Sequence, residues 1–327
     1  MKIIHIVMSD SFAGIEQHVN ELACNQKNEF DIKIIVSSGI SKKFNSGLEL
    51  IEIENFGRRS IYQILKLAYL INKINPDIVH SHGTKTTQVI NIVKKFIPFK
   101  HLATIHGVKK NLKAYEKADL VIGVSSKTVA NLNVETKVIS NWWSPLMSSN
   151  SIIRTNEYAL SVGRLEKVKG FDLLIKSWKN VNSNLLIVGT GKEYNNLKSL
   201  ISSYKLDKKI KIINEVSQDK LIDLYKKASV LLVASRSEGG PRVALEALNC
   251  GVPVLSTDVG HMNQILPKEF LAMPDDINSL TKLINNYVDQ IENFDQSSIY
   301  EYVRNEFSVQ KKSMQIKEIY EDLLIRS

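Results

Sequence analysis

Short runs that are apolar nearly throughout alternate along this chain with longer segments whose apolar residues recur at helical spacing. In the first half the runs are KIIHIV (2–7), DIKIIVSS (31–38), IVHSHG (78–83), LATIHG (102–107) and LVIGVS (120–125). A strand with apolar side chains on both faces is covered on both faces, as in a parallel sheet between layers of helices. The segments IEQHVNELACNQ (15–26), SIYQILKLAYLINKIN (60–75) and KTTQVINIVKKF (85–96) supply those helices. Repeated βα alternation predicts a doubly wound α/β domain.

The alternation stops at NWWSPLMSSNSIIRTNEY (141–158), a stretch rich in Ser and Asn that reads as a linker. It then resumes. YALSVG (158–163), NLLIVGTG (184–191), KIKIIN (209–214), VLLVAS (230–235) and VPVLST (252–257) are the next strands. GFDLLIKSWKNV (170–181), EYNNLKSLISSY (193–204), SQDKLIDLYKKA (217–228) and RVALEALNC (242–250) are the next helices. Beyond residue 277 the chain is polar and helical, in INSLTKLINNYVDQIENF (277–294) and VQKKSMQIKEIYEDLLIR (309–326). The pattern therefore predicts two α/β domains of similar build, 1–145 and 146–308, and a C-terminal helix over 309–327. Ligands of such domains sit at the carboxyl ends of the strands, beside helix N-termini. The default site is a cleft between the two domains.

Composition narrows the class. With 327 residues and 43% hydrophobic content the chain can bury two ordinary cores. Its apolar stretches fall short of a membrane span. MKIIHIVMSD turns polar too soon for a signal peptide and reads as a first strand. Cys24 and Cys250 lack metal-ligand spacing, which fits reduced thiols in a cytoplasmic protein. The net charge of +9 is uneven: residues 1–150 carry 19 Lys and Arg against 12 Asp and Glu. Lys85, Lys94, Lys95, Lys100, Lys109, Lys110 and Lys113 fall within 85–115 with no acid among them, around the apolar FIPF at 96–99. That field suits an anionic membrane surface, docked on the inner face of the cell membrane, or a lipid-diphosphate acceptor. The aromatics there are too few, and no motif is present, for a nucleic-acid partner.

The candidate chemistry follows the strands. In SVGRLEKVKGF, Arg164 and Lys169 stand between Gly163 and Gly170; Arg offers a planar fork of donors and Lys a point charge, a pairing suited to a diphosphate. GTG at 189–191 lacks a third glycine, so it reads as a tight βα turn rather than a dinucleotide fingerprint. In SEGGPRVALE, Gly239 and Gly240 let a ligand approach the backbone and Pro241 fits the first helical turn. The amides near Arg242, Val243 and Ala244 then favour an anion. Glu238 and Glu246 bracket this turn. A carboxylate there would repel phosphate unless each accepts hydrogen bonds from hydroxyls beside it, as the hexose and the ribose of a nucleotide sugar would provide. His80 and His82 share one strand face, and no third ligand in the sequence joins them as a metal site.

These residues resemble the family-four retaining glycosyltransferases of GT-B fold over nearly the whole chain, most specifically in 158–265. The E-x7-E signature matches at Glu238 and Glu246, and the diphosphate element at Gly163, Arg164, Lys169 and Gly170. The resemblance implies that Glu238 contacts the donor sugar and Glu246 the ribose. It implies that His106, in TIHG, is the catalytic-centre histidine. It makes Ala13, Gly14, Glu16 and His82 acceptor-side residues, in a loop that reads AGIE where the family has Gly-Gly-x-Glu. Asn141-Trp142-Trp143 and Gly260-His261 with Gln264 depart from the family pattern, and the stretch from His106 to Ser125 is short. Residues 1–145 become the acceptor-side domain and 146–308 the nucleotide-sugar domain, with the C-terminal helix packing back on the first.

The implied function is a retaining, metal-independent hexosyltransferase. It moves a hexose or N-acetylhexosamine from a nucleotide-diphosphate sugar, UDP- ahead of GDP-, to a glycan or polyprenyl-diphosphate-linked acceptor. The setting is bacterial lipopolysaccharide O-antigen or capsule assembly, and no cofactor is required. The rival readings are a GT-B-like nucleotide-sugar epimerase and a non-catalytic nucleotide-sugar-binding subunit.

Overall fold

The computed structural model describes residues 1–144, 155–293 and 295–325. They form two compact units, Met1–Asn141 with Val309–Ser327, and Trp142–Ser308. The first holds β1 (Lys2–Val7), α1 (Gly14–Gln26), β2 (Asp31–Ser37), β3 (Glu49–Ile53), α2 (Ile61–Ile74), β4 (Ile78–His82), α3 (Thr84–Val93), β5 (Lys100–Ile105), β6 (Leu120–Gly123), α4 (Ser126–Val129) and β7 (Thr136–Val138). Its strands are parallel, in the order β3-β2-β1-β4-β5-β6-β7. The second holds β8 (Tyr158–Val162), α5 (Phe171–Ser177), β9 (Leu185–Val188), α6 (Tyr194–Ser203), β10 (Ile210–Ile213), α7 (Gln218–Lys227), β11 (Ala228–Val233), α8 (Arg242–Asn249), β12 (Val254–Thr257), α9 (Met262–Ile265), β13 (Leu271–Ala272), α10 (Ile277–Tyr287) and α11 (Ser297–Glu306). Its order is β10-β9-β8-β11-β12-β13. Helix α12 (Val309–Ile325) belongs to the first unit, where it packs on α1.

The two sheets repeat one topology. In each, the first strand pairs with the second on one side and the fourth on the other. Winding reverses between β1 and β4, and again between β8 and β11. The loops leaving such a pair diverge and open a crevice at the carboxyl ends. The strand centres are closed by apolar packing. Ile3, Ile4, Ile6, Leu160, Ile187 and Leu231 are fully buried, and each such side chain contributes about 1.5–3 kcal/mol by leaving water.

Several details differ from the sequence pattern. The expected linker is not a solvated strap at its start: Trp142 is 1% exposed, and Trp143 packs on the second core and bonds Phe307 O through its N–H at 3.1 Å. Residues 145–154 of that stretch lie outside the described residues, and Tyr158 already opens β8. The lysines of 85–115 form no single patch around an apolar tip. Ile97 and Phe99 pack on the core beside Ile64 and Val93, which leaves Phe96 as the exposed aromatic. Lys94 is paired with Asp119 at 2.5 Å, and Lys85 bonds Asn55. Lys95 and Lys100 lie near the start of β5, Lys109, Lys110 and Lys113 beyond its other end. A six-residue strand separates the two groups by about 20 Å. No helix among the described residues is long and apolar enough to cross a membrane.

Candidate active site

In the second unit the loops after β8 and β11 are locked together at the switch point. Gly170 has φ +67°, and a Cβ there would stand 1.9 Å from Ala234 O, so only glycine permits this crossing. Arg236 donates its N–H to Val168 O at 2.8 Å. Its guanidinium bonds Lys167 O at 2.6 Å, both Asp172 oxygens at 2.7 and 2.9 Å, and Asp275 at 2.6 Å. Burial alone would raise the Asp172 pKa, but the hydrogen bonds and charge of Arg236 hold it below the ordinary carboxylate value. Sequence reasoning missed Arg236. Its signal was available, since it lies in the strand-end loop ASRSEGG.

That lock sets Lys169 against Glu238. Lys169 Nζ donates to Glu238 Oε1 at 2.5 Å, and Ser235 Oγ donates to the same oxygen at 2.8 Å. The lysine stem passes over Gly163, its carbons 3.5 Å from where a Cβ would stand, an ordinary contact distance. The two glycines of GTG serve packing: a Cβ on Gly189 would meet Gly163 O at 1.9 Å and one on Gly191 would meet Leu165 O at 2.4 Å. Gly260, at φ +58°, backs the Gly239–Gly240 pair, with its Cβ position 2.8 Å from Gly239 O and 2.9 Å from Gly240 Cα. Arg164 is not drawn into this group; it is 70% exposed and pairs with Glu166 at 2.7 Å.

Pro241 stands one position earlier than expected. It is the N-cap, with extended backbone (φ −70°, ψ 105°), and α8 starts at Arg242. The Ala244 amide is not free for an anion, because it bonds Pro241 O at 3.2 Å. The Arg242 and Val243 amides belong to the first turn, where no intrahelical acceptor precedes them. Glu246 is 6% exposed, accepts from Tyr225 Oη at 3.3 Å and lies 4.0 Å from Arg242 Nε. Burial first, and the Glu246 charge second, push the Tyr225 phenol well above its ordinary value. So the two carboxylates of the E-x7-E spacing have different partners. Glu238 is held by a cation, Glu246 by a phenol and the arginine one helical turn before it.

In the first unit the strand ends gather histidines. His5 Nδ1 and His82 Nε2 are 3.2 Å apart, and His82 Nδ1 and His106 Nε2 are also 3.2 Å apart. His18, from α1, meets His106 edge-on at 4.6 Å between ring centroids. His80 is fixed by Tyr320 Oη at 2.8 Å and Thr104 Oγ1 at 2.7 Å. Burial is the main cause that drives the His5 pKa down to about 4 and those of His80 and His82 well below the usual value. The expectation that His80 and His82 lack a third potential ligand is therefore overturned. His5, His80 and His82, and separately His18, His82 and His106, place ring nitrogens within 4.8 Å of one another. His80 has both nitrogens engaged in the first trio, and His82, common to both trios, has its two nitrogens on His5 and His106. His5 and His18 escaped sequence reasoning because their partners lie far along the chain.

Beside this cluster, Ala13 is the N-cap of α1 and donates its N–H to Glu16 Oε2 at 2.9 Å. The Glu16 carboxylate, 4% exposed, thus holds its own helix start. Nothing lies within 4 Å of where a Cβ on Gly14 would stand, so the space over this turn is open.

Comparison with known proteins agrees with this architecture. Residues 146–302 match the family model described as glycosyl transferases group 1, and residues 6–141 the one described as glycosyl transferase 4-like. An uncharacterised glycosyltransferase of Methanocaldococcus jannaschii is 27% identical over 94% of this chain and 90% of its own. Anabaena HepE in complex with UDP-glucose superposes with a TM-score of 0.84 at 19% identity, over 98% of this chain and 100% of that one. The lipopolysaccharide outer core galactosyltransferase WaaB gives 0.82 at 19% identity, over 97% and 98%. The two sheets are thus the Rossmann-like halves of a GT-B fold, and the chain belongs to the glycosyltransferases, with a group 1 C-terminal half and a 4-like N-terminal half.

Proposed function

We propose that this glycosyltransferase is a retaining, metal-independent member of the family-four type. In this reading it transfers a hexose or N-acetylhexosamine from a UDP-sugar to a lipid-linked glycan in surface polysaccharide assembly. The observation that carries the reading is the Lys169–Glu238 pair at the switch point of the second unit. An arriving diphosphate competes for Lys169 with a full phosphate charge. Glu238, released from the lysine, then accepts hydrogen bonds from the hydroxyls of the transferred sugar. The Arg242 and Val243 amides stabilise the leaving diphosphate, and Arg164 swings in from Glu166 to add a second cation. These positive groups do the work that a metal ion does elsewhere. Glu246 accepts from the ribose, and His106 is the catalytic histidine. HepE binding UDP-glucose supports the uridine donor, and WaaB, a lipopolysaccharide enzyme, supports the lipid-linked acceptor.

A panel of nucleotide sugars tested for thermal stabilisation identifies the donor. The right one, at 100 times its dissociation constant, adds about 2.7 kcal/mol. Glu246→Gln then weakens that donor by about 10- to 150-fold, the range expected when a hydrogen bond to a charged group is lost. Unchanged donor affinity in this variant would remove Glu246 from the site. Product anomers resolved by NMR test retention: the α-donor must give an α-glycoside, and a β-product contradicts the assignment.

A further inference from the structure

Imidazoles in the first unit form a chain. His5 Nδ1 meets His82 Nε2 at 3.2 Å, and His82 Nδ1 meets His106 Nε2 at 3.2 Å. His82 stands in the middle with both nitrogens committed. His5 is fully buried and His82 is 1% exposed. Burial is the main cause that keeps both rings neutral at pH 7. A neutral imidazole has one N–H and one bare nitrogen, so each ring donates on one side and accepts on the other. The chain can therefore run in only two directions, and the direction is read at His106. Its hydrogen sits on Nε2 in one and on Nδ1 in the other. Neighbouring rings pack on the chain without joining it. His80 lies 4.2 Å from His82 between ring centroids, but its own nitrogens are engaged by Tyr320 and Thr104. His18 meets His106 edge-on.

The buried end of the chain is His5 Nε2. Among the described residues it has no hydrogen-bond partner besides the Gln26 amide, and neither Gln26 amide atom has another. Gln26 is the last residue of α1 and is 2% exposed. An amide can end the chain either way, by accepting through Oε1 or by donating through Nε2. Burial lowers the His5 pKa to about 4, and the Gln26 bond opposes that fall. A partner that favours the protonated ring is an acceptor, so Oε1 is the atom turned to His5.

We propose that Gln26 and His5 are positioning residues which, through His82, fix the tautomer of His106. Gln26 Oε1 accepts from His5 Nε2, His5 Nδ1 accepts from His82 Nε2, and His82 Nδ1 accepts from His106 Nε2. His106 then carries its hydrogen on Nε2 and has a lone pair at Nδ1. A fixed partner on one imidazole nitrogen selects the state of the other, and here that selection passes along the rings from a buried amide. In the proposed reaction the Nδ1 lone pair accepts a hydrogen bond from a sugar hydroxyl; the reversed chain would put an N–H there instead. That consequence rests on the reading of His106 as the catalytic histidine. The chain and its direction do not.

Long-range proton–nitrogen correlation spectra of the full chain, with isotope-labelled histidine, test the proposal without substrate, because the shift of each ring nitrogen shows whether it carries hydrogen. The His106 signals are the ones lost in His106→Asn. At pH 7 the wild type should show the His106 hydrogen on Nε2. Gln26→Met removes the acceptor at nearly constant volume, leaves a buried His5 Nε2–H without a partner, and so favours the reversed chain. The ratio of Nδ1–H to Nε2–H forms at His106 should rise about 2- to 13-fold, the equivalent of one neutral hydrogen bond. His5→Phe deprives His82 Nε2 of its acceptor and should move the ratio the same way, so either variant suffices if the other does not fold. In both, kcat should fall in proportion to the Nε2–H fraction while donor affinity holds. A shifted ratio with unchanged kcat supports the chain and removes His106 from the chemistry. Wild-type His106 with its hydrogen on Nδ1 overturns the proposal, and so does a ratio that neither variant moves.

Discussion

The first unit should lose stability steeply as pH falls from about 6.5 toward 4, while the second changes less. The cause is the buried imidazoles. His5 protonates in the folded chain only near pH 4, His101 near 3, and His80 and His82 well below the ordinary value of 6.5; desolvation is the leading cause for each. In the unfolded chain all four take protons near 6.5. Between these limits the unfolded state binds more protons, so stability rises with pH there and falls on acidification; above 6.5 both states are neutral and the effect vanishes. Each such group changes stability by about 1.4 kcal/mol per pH unit within its window. Six of the seven histidines lie in the first unit, and all three tryptophans, Trp142, Trp143 and Trp178, in the second. Urea titrations at pH 7 and pH 5 therefore separate the two: tryptophan fluorescence follows the second unit and far-ultraviolet circular dichroism both. The dichroism midpoint should drop strongly at pH 5 and the fluorescence midpoint less. A dichroism midpoint independent of pH would mean that these rings are not buried neutral.

Lys169→Ala should reduce kcat/KM by about 10- to 150-fold, the equivalent of the 1.5–3 kcal/mol typical of a hydrogen bond to a charged group. Two effects add in the same direction. The diphosphate loses its cation, and Glu238, only 15% exposed, is left facing the phosphate without its partner. Lys169→Arg should recover part of the loss, because its fork reaches both carboxylate and phosphate. In Glu238→Gln the lysine remains and the carboxylate charge goes, so turnover should suffer more than donor binding. If the pair were only structural, Lys169→Ala would lower the melting temperature and leave kcat/KM of the folded fraction unchanged.

Much of the fold was legible because burial and sequence period agree. β1, β5, β8 and β11 are largely apolar on both faces and buried on both, and their helices carry one apolar stripe. β3 escaped because ELIEI, on a sheet edge, mixes two Glu with three apolar residues without a strand period and is half-exposed. α11 escaped because SSIYEYVRNE buries only Ile299 and Val303. Trp142 and Trp143 were hidden by the Ser- and Asn-rich context that follows them, although two adjacent tryptophans are costly to leave in water. At the site, Lys169 and Glu238 are each readable as strand-end residues. Their 2.5 Å contact is not, since it depends on Gly170 crossing Ala234 between loops some 65 residues apart. The histidine cluster is harder still: His5, His18, His82 and His106 come from four elements, and no local spacing announces their meeting.

The most direct measurement is calorimetric titration of the intact chain with UDP and with GDP, each with and without a chelator. The account predicts saturable binding of one nucleoside diphosphate per chain, tighter for UDP, with the same affinity when divalent ions are removed, because Lys169 and the α8 start supply the positive charge. No binding of either diphosphate at millimolar concentration, or binding that disappears with the chelator and returns with a divalent cation, would contradict it.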